Sequence, residues 1–343
     1  HDGRIKFLWV MATNPAVSMP DANFVREALA RCPTVVVSDI MADTDTSRFA
    51  HIRLPALAWG EKDGTVTNSE RRISRQRALF VPPGEARADW QIVCDVAKRL
   101  GWSEAFAFTT PAAIFREYAA MTALAVKHGK LLDLTGQAQI GEWGYETLKP
   151  FQWGGEHPLA QRHPTPTGKA RMVAVSPPDV PSEPGYPLRL NTARYRDQWH
   201  TMTRTGLSPT LSQHRREPLL EVNPQDGREL GLTDGALARV VTAQGSSIFR
   251  VCFASGQRRG DVCAPMHWTD ILSGAGRCNL LPGQAADPVS GQPGFKNTAA
   301  RVEPVEPEWR AFLVSRDETA PQGLLYWSRA RVTDGWLYEL AGD

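Results

Sequence analysis

The sequence predicts an α/β domain followed by an all-β barrel, and three observations carry that expectation. Two apolar runs, residues 5–11 and 34–37, flank a segment with apolar residues at helical spacing, so the chain opens as strand, helix, strand. Far downstream, residues 236–242 and 247–253 alternate apolar and polar positions across a Gln244-Gly245 turn, as paired antiparallel strands do. Between these halves, residues 186–190 read as a half-buried strand. It enters a stretch with three Arg, one His, one Trp and four Thr and no core-forming period.

Length and composition bound the reading. A chain of 343 residues suits about two domains with connections. Thirty-nine basic against thirty-seven acidic residues leave a net charge of +2, so bulk charge gives no reason to expect nucleic acid or a membrane surface as partner. Five cysteines (Cys32, Cys94, Cys252, Cys263 and Cys278) are widely spaced with no C-x-x-C pair. They predict free thiols in a reducing cytoplasm rather than a disulfide framework, zinc site or iron–sulfur cluster. No run approaches the roughly twenty apolar residues of a membrane span. The chain begins at His1-Asp2-Gly3 without Met and is read as a piece of a larger protein, with His1 native or a tag remnant.

In order, residues 5–11 predict a buried strand that breaks at Thr13-Asn14-Pro15. Asp21 then predicts the cap of a helix carrying Phe24, Val25, Leu29 and Cys32. The second strand ends at Ser38-Asp39. Open α/β sheets bind ligands beyond the carboxyl ends of their strands, which singles out Asn14, Ser38 and Asp39. A short acidic helix over 43–49 and a third strand at 51–55 follow, and Asp89 reads as the N-cap of a helix stopping at Gly101. Residues 111–130 predict a helix with Ile114, Phe115, Tyr118, Met121, Leu124 and Ala125 in the core.

Residues 131–184 lose periodicity among recurrent prolines and read as an irregular connection. Beyond the polar loop come a strand at 218–222, a short helix from Asn223-Pro224 to Gly231, the hairpin strands and a strand at 261–266. Residues 306–343, with Trp309, Trp327 and Trp336, read as a tail rather than a domain. The expected domains are therefore 1–130 (α/β), 131–184 (connection), 185–305 (barrel) and 306–343 (tail). By themselves, the Arg and Thr of the polar loop suit a polyanion, since a guanidinium forks onto phosphate while hydroxyls and an indole N–H add directional contacts. A merely solvated loop is the competing reading.

Four segments, "TNPAVSMPD", "VVVSD", "DTSRFAHIRLPA" and "WGEKDGTVTNSERRISRQ", together with "DQWHTMTRTG", resemble the bacterial molybdopterin oxidoreductases, specifically the C-terminal part of assimilatory nitrate reductase catalytic subunits. The resemblance implies a partial, Rossmann-like α/β domain followed by a double-psi β-barrel of the aspartate-decarboxylase-like kind, which binds a molybdopterin dinucleotide. Residues 168–175 resemble the strand preceding that barrel. The cofactor-binding positions it implies are Asn14, Ser38, Asp39, Lys62 and Asp89 in the first half. Thr192, Ala193 (where the family usually has Gly), Arg194, Asp197, Trp199, His200 and Thr201 lie in the polar stretch, and Trp268, Asn279, Lys296 and Asn297 lie beyond it. Each has a plainer alternative: Asn14 shaping a turn, Asp39 ending a strand, Lys62 as a solvated charge, Asp89 as a cap. His267 reads as a satisfied core histidine.

The resemblance further implies reduction of nitrate to nitrite at a molybdenum-bis(molybdopterin guanine dinucleotide) centre in a cytoplasmic enzyme. The molybdenum ligand and iron–sulfur cluster belong to the N-terminal remainder of the subunit, so no catalytic or metal-ligating residue is expected in these 343. Electrons come from ferredoxin, flavodoxin or a reductase subunit, and the isolated segment is expected to be inactive and without bound cofactor. A formate dehydrogenase is the alternative within the family, favoured less by the "DQWHTMTRTG" run. A non-redox nucleotide-binding or scaffold module is the alternative from another class.

Overall fold

The computed structural model describes residues 1–154, 163, 165–174 and 183–343. They fall into two compact units, one of His1–Val37, Met41–Arg53 and Pro178–Asp343, the other of Ser38–Ile40 and Leu54–Pro177. This division cuts the chain differently from the linear bounds at 130 and 184, because the first helices pack with the barrel.

In the first unit β1 (Phe7–Met11), β2 (Thr34–Asp39) and β3 (Ile52–Pro55) form a sheet in that order, the ends of β2 and β3 passing into the second unit. The valines of β2 are buried, as their continuous apolar run demands, whereas β1 is an edge strand whose Phe7 is 57% exposed. Pro15 at its first position starts α1 (Pro15–Ser18), and α2 (Ala22–Arg31) follows. Asp21 does not cap α2 through its side chain. It sits at φ 46° and accepts from Gln284 Nε2 at 2.7 Å, so tertiary contact overrides the local signal. The helix expected over 43–49 is a single 3-10 turn, Ser47–Phe49.

The second unit holds a sheet absent from the sequence reading. β4 (Gly64–Thr67) pairs antiparallel with β5 (Arg72–Gln76), which pairs with β6 (Phe151–Gln152). Helices α3 (Asp89–Arg99), α4 (Pro111–Lys127) and α5 (Glu142–Glu146) complete it. The N-cap of α3 is Ala88, with Asp89 one residue inside. Helix α4 buries Ala112, Phe115, Ala119 and Thr122 against Ile73 and Tyr145. Tyr118, Met121 and Leu124 are exposed, so the expected core stripe is rotated about the helix. Residues 131–154 are thus not an irregular connection. Leu134, Tyr145 and Phe151 join this core. Residues 168–174 form no strand, and Val175 lies outside the described residues.

The first unit continues as a closed six-stranded barrel of β7 (Leu188–Ala193), β8 (Leu219–Val222), β9 (Leu237–Val241), β10 (Ser246–Phe253), β11 (Asp261–Pro265) and β12 (Thr298–Val305). The order around it is β10-β8-β11-β7-β12-β9, with β10–β8 and β11–β7 parallel and the remaining pairs antiparallel, and it encloses Leu190, Leu220, Val240, Phe249 and Val262. The expected barrel is present. Helix α6 (Pro209–Ser212) follows the polar loop, and α7 (Pro224–Glu229) starts where Asn223 accepts the Gln225 N–H at 2.9 Å.

The C-terminal residues are a sheet rather than a tail: β13 (Trp309–Ser315), β14 (Tyr326–Val332) and β15 (Gly335–Gly342), ordered β13-β15-β14. One face buries Trp336 and Tyr338 with Met202, Trp268 and Leu272, while Tyr326 and Ala341 bury with Leu237 and Ile248 of the barrel. Alternation within β15 supplies both faces with apolar residues, which the sequence reading missed because neither layer is visible from the sequence.

Candidate functional site

Short helix α1 is the hub of the first unit. Asn14, before its first residue, is buried. Its Oδ1 accepts from the Thr46 N–H at 3.1 Å and the Thr46 hydroxyl at 2.6 Å, and that hydroxyl accepts the Ala16 N–H at 3.1 Å. From the other side Asn279 Nδ2 donates to the Val17 carbonyl at 2.7 Å, and Arg277 Nη1 donates to the Ala16 carbonyl at 3.4 Å. Arg277 also reaches Asn23 Oδ1 at 3.3 Å and Asp270 Oδ2 at 3.3 Å, and Arg26 donates to the same Asp270 oxygen. Asp270 in turn gives its backbone N–H to Asp45 Oδ1 at 3.1 Å. Burial, then the neighbouring Asp270 carboxylate, push the Asp45 carboxyl above its usual range, and burial lowers Arg277 from its usual value.

This hub is incompletely satisfied. Asn14 Nδ2 and Arg277 Nε are buried donors, and Asn279 Oδ1 and Asp45 Oδ2 buried acceptors, with no hydrogen-bond partner among the described residues. Orphaned buried polar atoms cost about 1–3 kcal/mol each, so four around one helix make it the candidate site for a ligand that both donates and accepts. The apolar cavity of about 550 Å³ lined by Leu8, Val10, Phe24, Val25 and Leu29 contains none of these groups.

Two further orphaned donors lie at the end of β11. His267 and Trp268 are fully buried. His267 Nε2 accepts the Tyr195 N–H at 2.8 Å, which places the ring proton on Nδ1. That atom and Trp268 Nε1 make no hydrogen bond of full geometry among the described residues, the Trp199 backbone interacting with the His267 ring too weakly to offset its burial. Burial pushes the His267 pKa down to about 4, so the ring is neutral at pH 7. The expectation of a satisfied core histidine is therefore only half met.

The polar stretch is more ordered than a loop. Thr192 and Ala193 belong to β7, and the Ala193 carbonyl accepts the Met266 N–H at 3.0 Å. Ala193 pairs with Pro265 inside the ladder, so the replacement of the family's glycine needs no left-handed backbone. Lys296 Nζ donates to the Thr192 carbonyl, and Asn297, at φ 57°, gives its N–H to Asn191 Oδ1 at 3.3 Å. Arg196 forks onto Asp197 at 2.9 and 3.0 Å, and His214 approaches the same carboxylate at 3.0 Å. Arg194 is exposed, and Trp199, 56% exposed, stands edge-on to His200. Thr201 and Met202 are consecutive left-handed residues at φ 55° and 54°, a strained turn held by burial of Met202 against Trp268.

In the second unit Lys62 Nζ donates to Asp89 Oδ2 at 3.0 Å, leaving Asp89 Oδ1 buried and unpartnered. The loop before β4 is held from β5. Gln76 Nε2 donates to the Trp59 carbonyl at 2.5 Å, and Arg75 donates to both Asp63 oxygens at 2.7 and 2.8 Å while stacking on Tyr145 at 3.9 Å. Ser38 is buried. Asp39 is half-buried, its carbonyl accepting the Ala56 N–H at 3.0 Å.

The structure thus joins Asn14 to Asn279 and Lys62 to Asp89, from positions far apart in sequence. It adds Asp45, Arg277 and Asp270, which the sequence reading missed. Asp45 opens a quoted motif and Arg277 lies two residues before Asn279, yet only the tertiary contacts reveal that each keeps a polar atom unpaired among the described residues. Among the described residues no group of three His, Cys, Asp or Glu is placed to hold a metal ion, and no helix is long and apolar enough to cross a membrane. No disulfide forms. Burial raises the thiols of Cys94, Cys252, Cys263 and Cys278, the last to about 12, which removes them as nucleophiles.

Comparison with known proteins agrees with this organisation. The family model described as "Molybdopterin oxidoreductase" matches residues 1–99, and "Molydopterin dinucleotide binding domain" matches residues 188–299. The chain is 46% identical to the "Nitrate reductase" of Klebsiella oxytoca over 352 residues, covering 99% of this chain and 40% of that protein. It is 31% identical to "F420-dependent formate dehydrogenase 1 subunit alpha" of Methanococcus maripaludis over 304 residues, covering 88% and 44% respectively. The chain therefore spans less than half the length of these curated relatives. The fold is similar to that of acetylene hydratase from Pelobacter acetylenicus, with a TM-score of 0.69 at 17% identity over 88% of this chain and 44% of that one. With both domain models matched in order on the two parts of the fold that carry the polar hub and the barrel, the chain belongs to the molybdopterin oxidoreductase family.

Proposed function

We propose that this chain is the dinucleotide-cradling part of a molybdenum nitrate reductase. One observation carries the proposal: Asn14 and Asn279, drawn from opposite ends of the sequence, meet on one short helix, each with a buried polar atom unpaired. Paired donors and acceptors fit the edge of a pterin or guanine, which presents both. In this proposal Asn14, Asp45, Arg277, Asn279 and the Trp268 indole hold heterocyclic edges. Ser38, Asp39 and Asp89 contact guanosine, with Asp89 Oδ1 accepting from guanine N–H groups. Lys62, Arg194, Lys296 and the N–H and hydroxyl groups of residues 192–201 hold phosphate, Asn297, Asp197 and His200 shaping the surroundings. The cofactor, a molybdenum-bis(molybdopterin guanine dinucleotide), supplies the two-electron oxygen-atom transfer. The chain supplies position and charge.

Reduction of nitrate to nitrite is preferred to formate oxidation because the Klebsiella nitrate reductase is the more similar relative, at 46% against 31%. The electron donor, the iron–sulfur cluster, the cytoplasmic location and the inactivity of these 343 residues in isolation belong to the same proposal. The test is the molybdenum and guanine-nucleotide content of the intact enzyme, with viologen-linked nitrate and formate turnover. Charge-assisted contacts contribute about 1.5–3 kcal/mol each, so Arg194→Ala and Lys62→Ala are expected to lower cofactor content several-fold or more, and Cys94→Ser to leave it unchanged. Equal contents in all four proteins would overturn the cradle. Formate turnover without nitrate turnover would move the assignment to the alternative.

A further inference from the structure

The C-terminal sheet is fastened to the barrel by an apolar contact and, beside it, a cluster of ionisable groups. Arg250 on β10 donates from Nε to Glu217 Oε1 at 2.6 Å, from Nη1 to the Gly235 carbonyl at 2.9 Å and from Nη2 to Glu339 Oε2 at 3.4 Å. Tyr326 on β14 gives its hydroxyl proton to Glu217 Oε2 at 3.0 Å. Glu217 therefore has both oxygens served, whereas Glu339 on β15 receives the longest arm of a guanidinium already spent twice. The side chains of Arg250, Glu217 and Glu339 are 19%, 11% and 19% exposed, and Tyr326 is fully buried.

One guanidinium thus faces two carboxylates out of bulk water. Arg216, before β8, adds a more distant positive charge, and Arg310 of β13 lies on the same sheet face as Glu339, one alternation along the register. On β14 the neighbours of Glu339 across the register are the neutral Ser328 and Tyr326. Two like charges this close are relieved when the pair retains a proton.

We propose that Glu339, left with the longest arm of the one guanidinium it has in common with Glu217, retains a proton in the folded protein, so that seating of the C-terminal sheet on the barrel is linked to proton uptake. Glu339 is the residue that carries it: burial, then the Glu217 charge, raise its pKa from 4.5 to about 7. A carboxyl raised on folding contributes stability that is full below its unfolded value and lost as pH rises through the folded one, so the sheet loosens as pH rises from about 4.5 to 7. The same sheet backs the polar stretch, because Trp336, Tyr338 and Leu340 pack with Met202, Trp268 and Tyr195. Proton release at Glu339 therefore reaches the rear of the proposed cradle, although the linkage itself does not depend on what the cradle binds.

Hydrogen exchange of the intact protein, followed in peptides covering residues 326–342 and corrected for the intrinsic pH dependence of exchange, tests the proposal. In the wild type, opening is expected to become more frequent with rising pH between about 5 and 7, approaching tenfold per pH unit in the middle of that window as for one released proton, and to level off above about 7. Glu339→Gln, which mimics the protonated acid, is expected to flatten that profile, and peptides of β4 and β5 are expected to show no such slope in either protein. A wild-type profile flat from pH 5 to 7, or an unchanged slope in Glu339→Gln, would overturn it. Infrared spectra of the wild type give a check independent of any variant: a protonated carboxyl band must disappear between pH 6 and 8, and its absence at pH 6 counts equally against a proton on Glu339.

Discussion

The hub around α1 and the polar stretch after β7 both hold candidate ligand groups, yet the protein presents them in opposite ways. Around α1 the side chains are buried, and each keeps one polar atom unpaired while the others are bonded. After β7, Arg194 and Trp199 are exposed, and the order lies in the backbone and in Asp197, held by Arg196 and His214. The first arrangement lowers stability before any ligand arrives and needs little reorganisation afterwards. The second costs little in advance, and its side chains lose rotamer freedom on binding. A heterocycle with fixed donors and acceptors suits the first, and a solvated diphosphate suits the second.

Several measurements would break or sharpen that contrast. The largest effect is expected for Arg277→Ala, which removes a buried guanidinium and strips the half-buried Asp270 of one of its two arginines beside Asp45. Removing one partner of a fully buried ion pair typically costs about 3–5 kcal/mol, and partial exposure of Asp270 holds the loss to the low end, so chemical unfolding should show a loss of about 3 kcal/mol, while Arg194→Ala stays within about 0.5 kcal/mol. Similar losses in the two variants would erase the contrast.

His267 gives the next largest effect, through pH. Its folded pKa of about 4 lies below the usual 6.5, so the unfolded chain binds the extra proton first, and stability falls as pH drops from about 6.5 towards 4. The loss over that window is about 3 kcal/mol at most, at 1.36 kcal/mol per unit. His267→Gln should remove this part of the acid sensitivity in melting experiments between pH 4.5 and 7, and an unchanged profile would mean that His267 already finds a partner for its second nitrogen.

Binding separates the regions in the opposite direction. Pyrophosphate or guanosine diphosphate titrated into the protein should bind about ten- to a hundredfold more weakly to Arg194→Ala, an effect of about 1.5–3 kcal/mol that shrinks with added salt. Smallest of all is Ala193→Gly, which restores the residue usual in the family. Since Ala193 lies in extended backbone inside a ladder, the change should destabilise by about 0.5–1 kcal/mol and leave diphosphate affinity unaltered. Tighter binding in the glycine variant would show that the backbone there must move to admit phosphate.

The elements written in local pattern were legible in advance. The valine run of β2, the alternation of β9 and β10 across Gln244-Gly245 and the Asn223-Pro224 start of α7 each follow from steric or periodic rules acting within a few residues. The resemblance to the family named Asn14, Asn279, Lys62 and Asp89 in advance, and their binding roles belong to the proposal. Local pattern failed where two apolar stripes compete on one helix. In α4 the structure buries Phe115 and Ala119 and exposes Met121 and Leu124, because the surface offered by Ile73 and Tyr145 meets the face of the helix that carries Ala112, Phe115 and Ala119.

Partnership was the part that no reading of the chain could supply. Whether Asp21 caps its helix or binds Gln284, whether Lys62 is free or meets Asp89, and whether residues 306–343 trail or form the sheet behind Trp268 are decided by groups distant in sequence. The sequence by itself determined the first sheet, the presence of the barrel and the residue types able to hold a polyanion, but neither the β4–β6 sheet nor the C-terminal one. Only the tertiary structure decided which of their polar atoms are spent on one another and which remain for a ligand, because a buried hydrogen bond is settled by the arrival of its partner rather than by the residue that offers it.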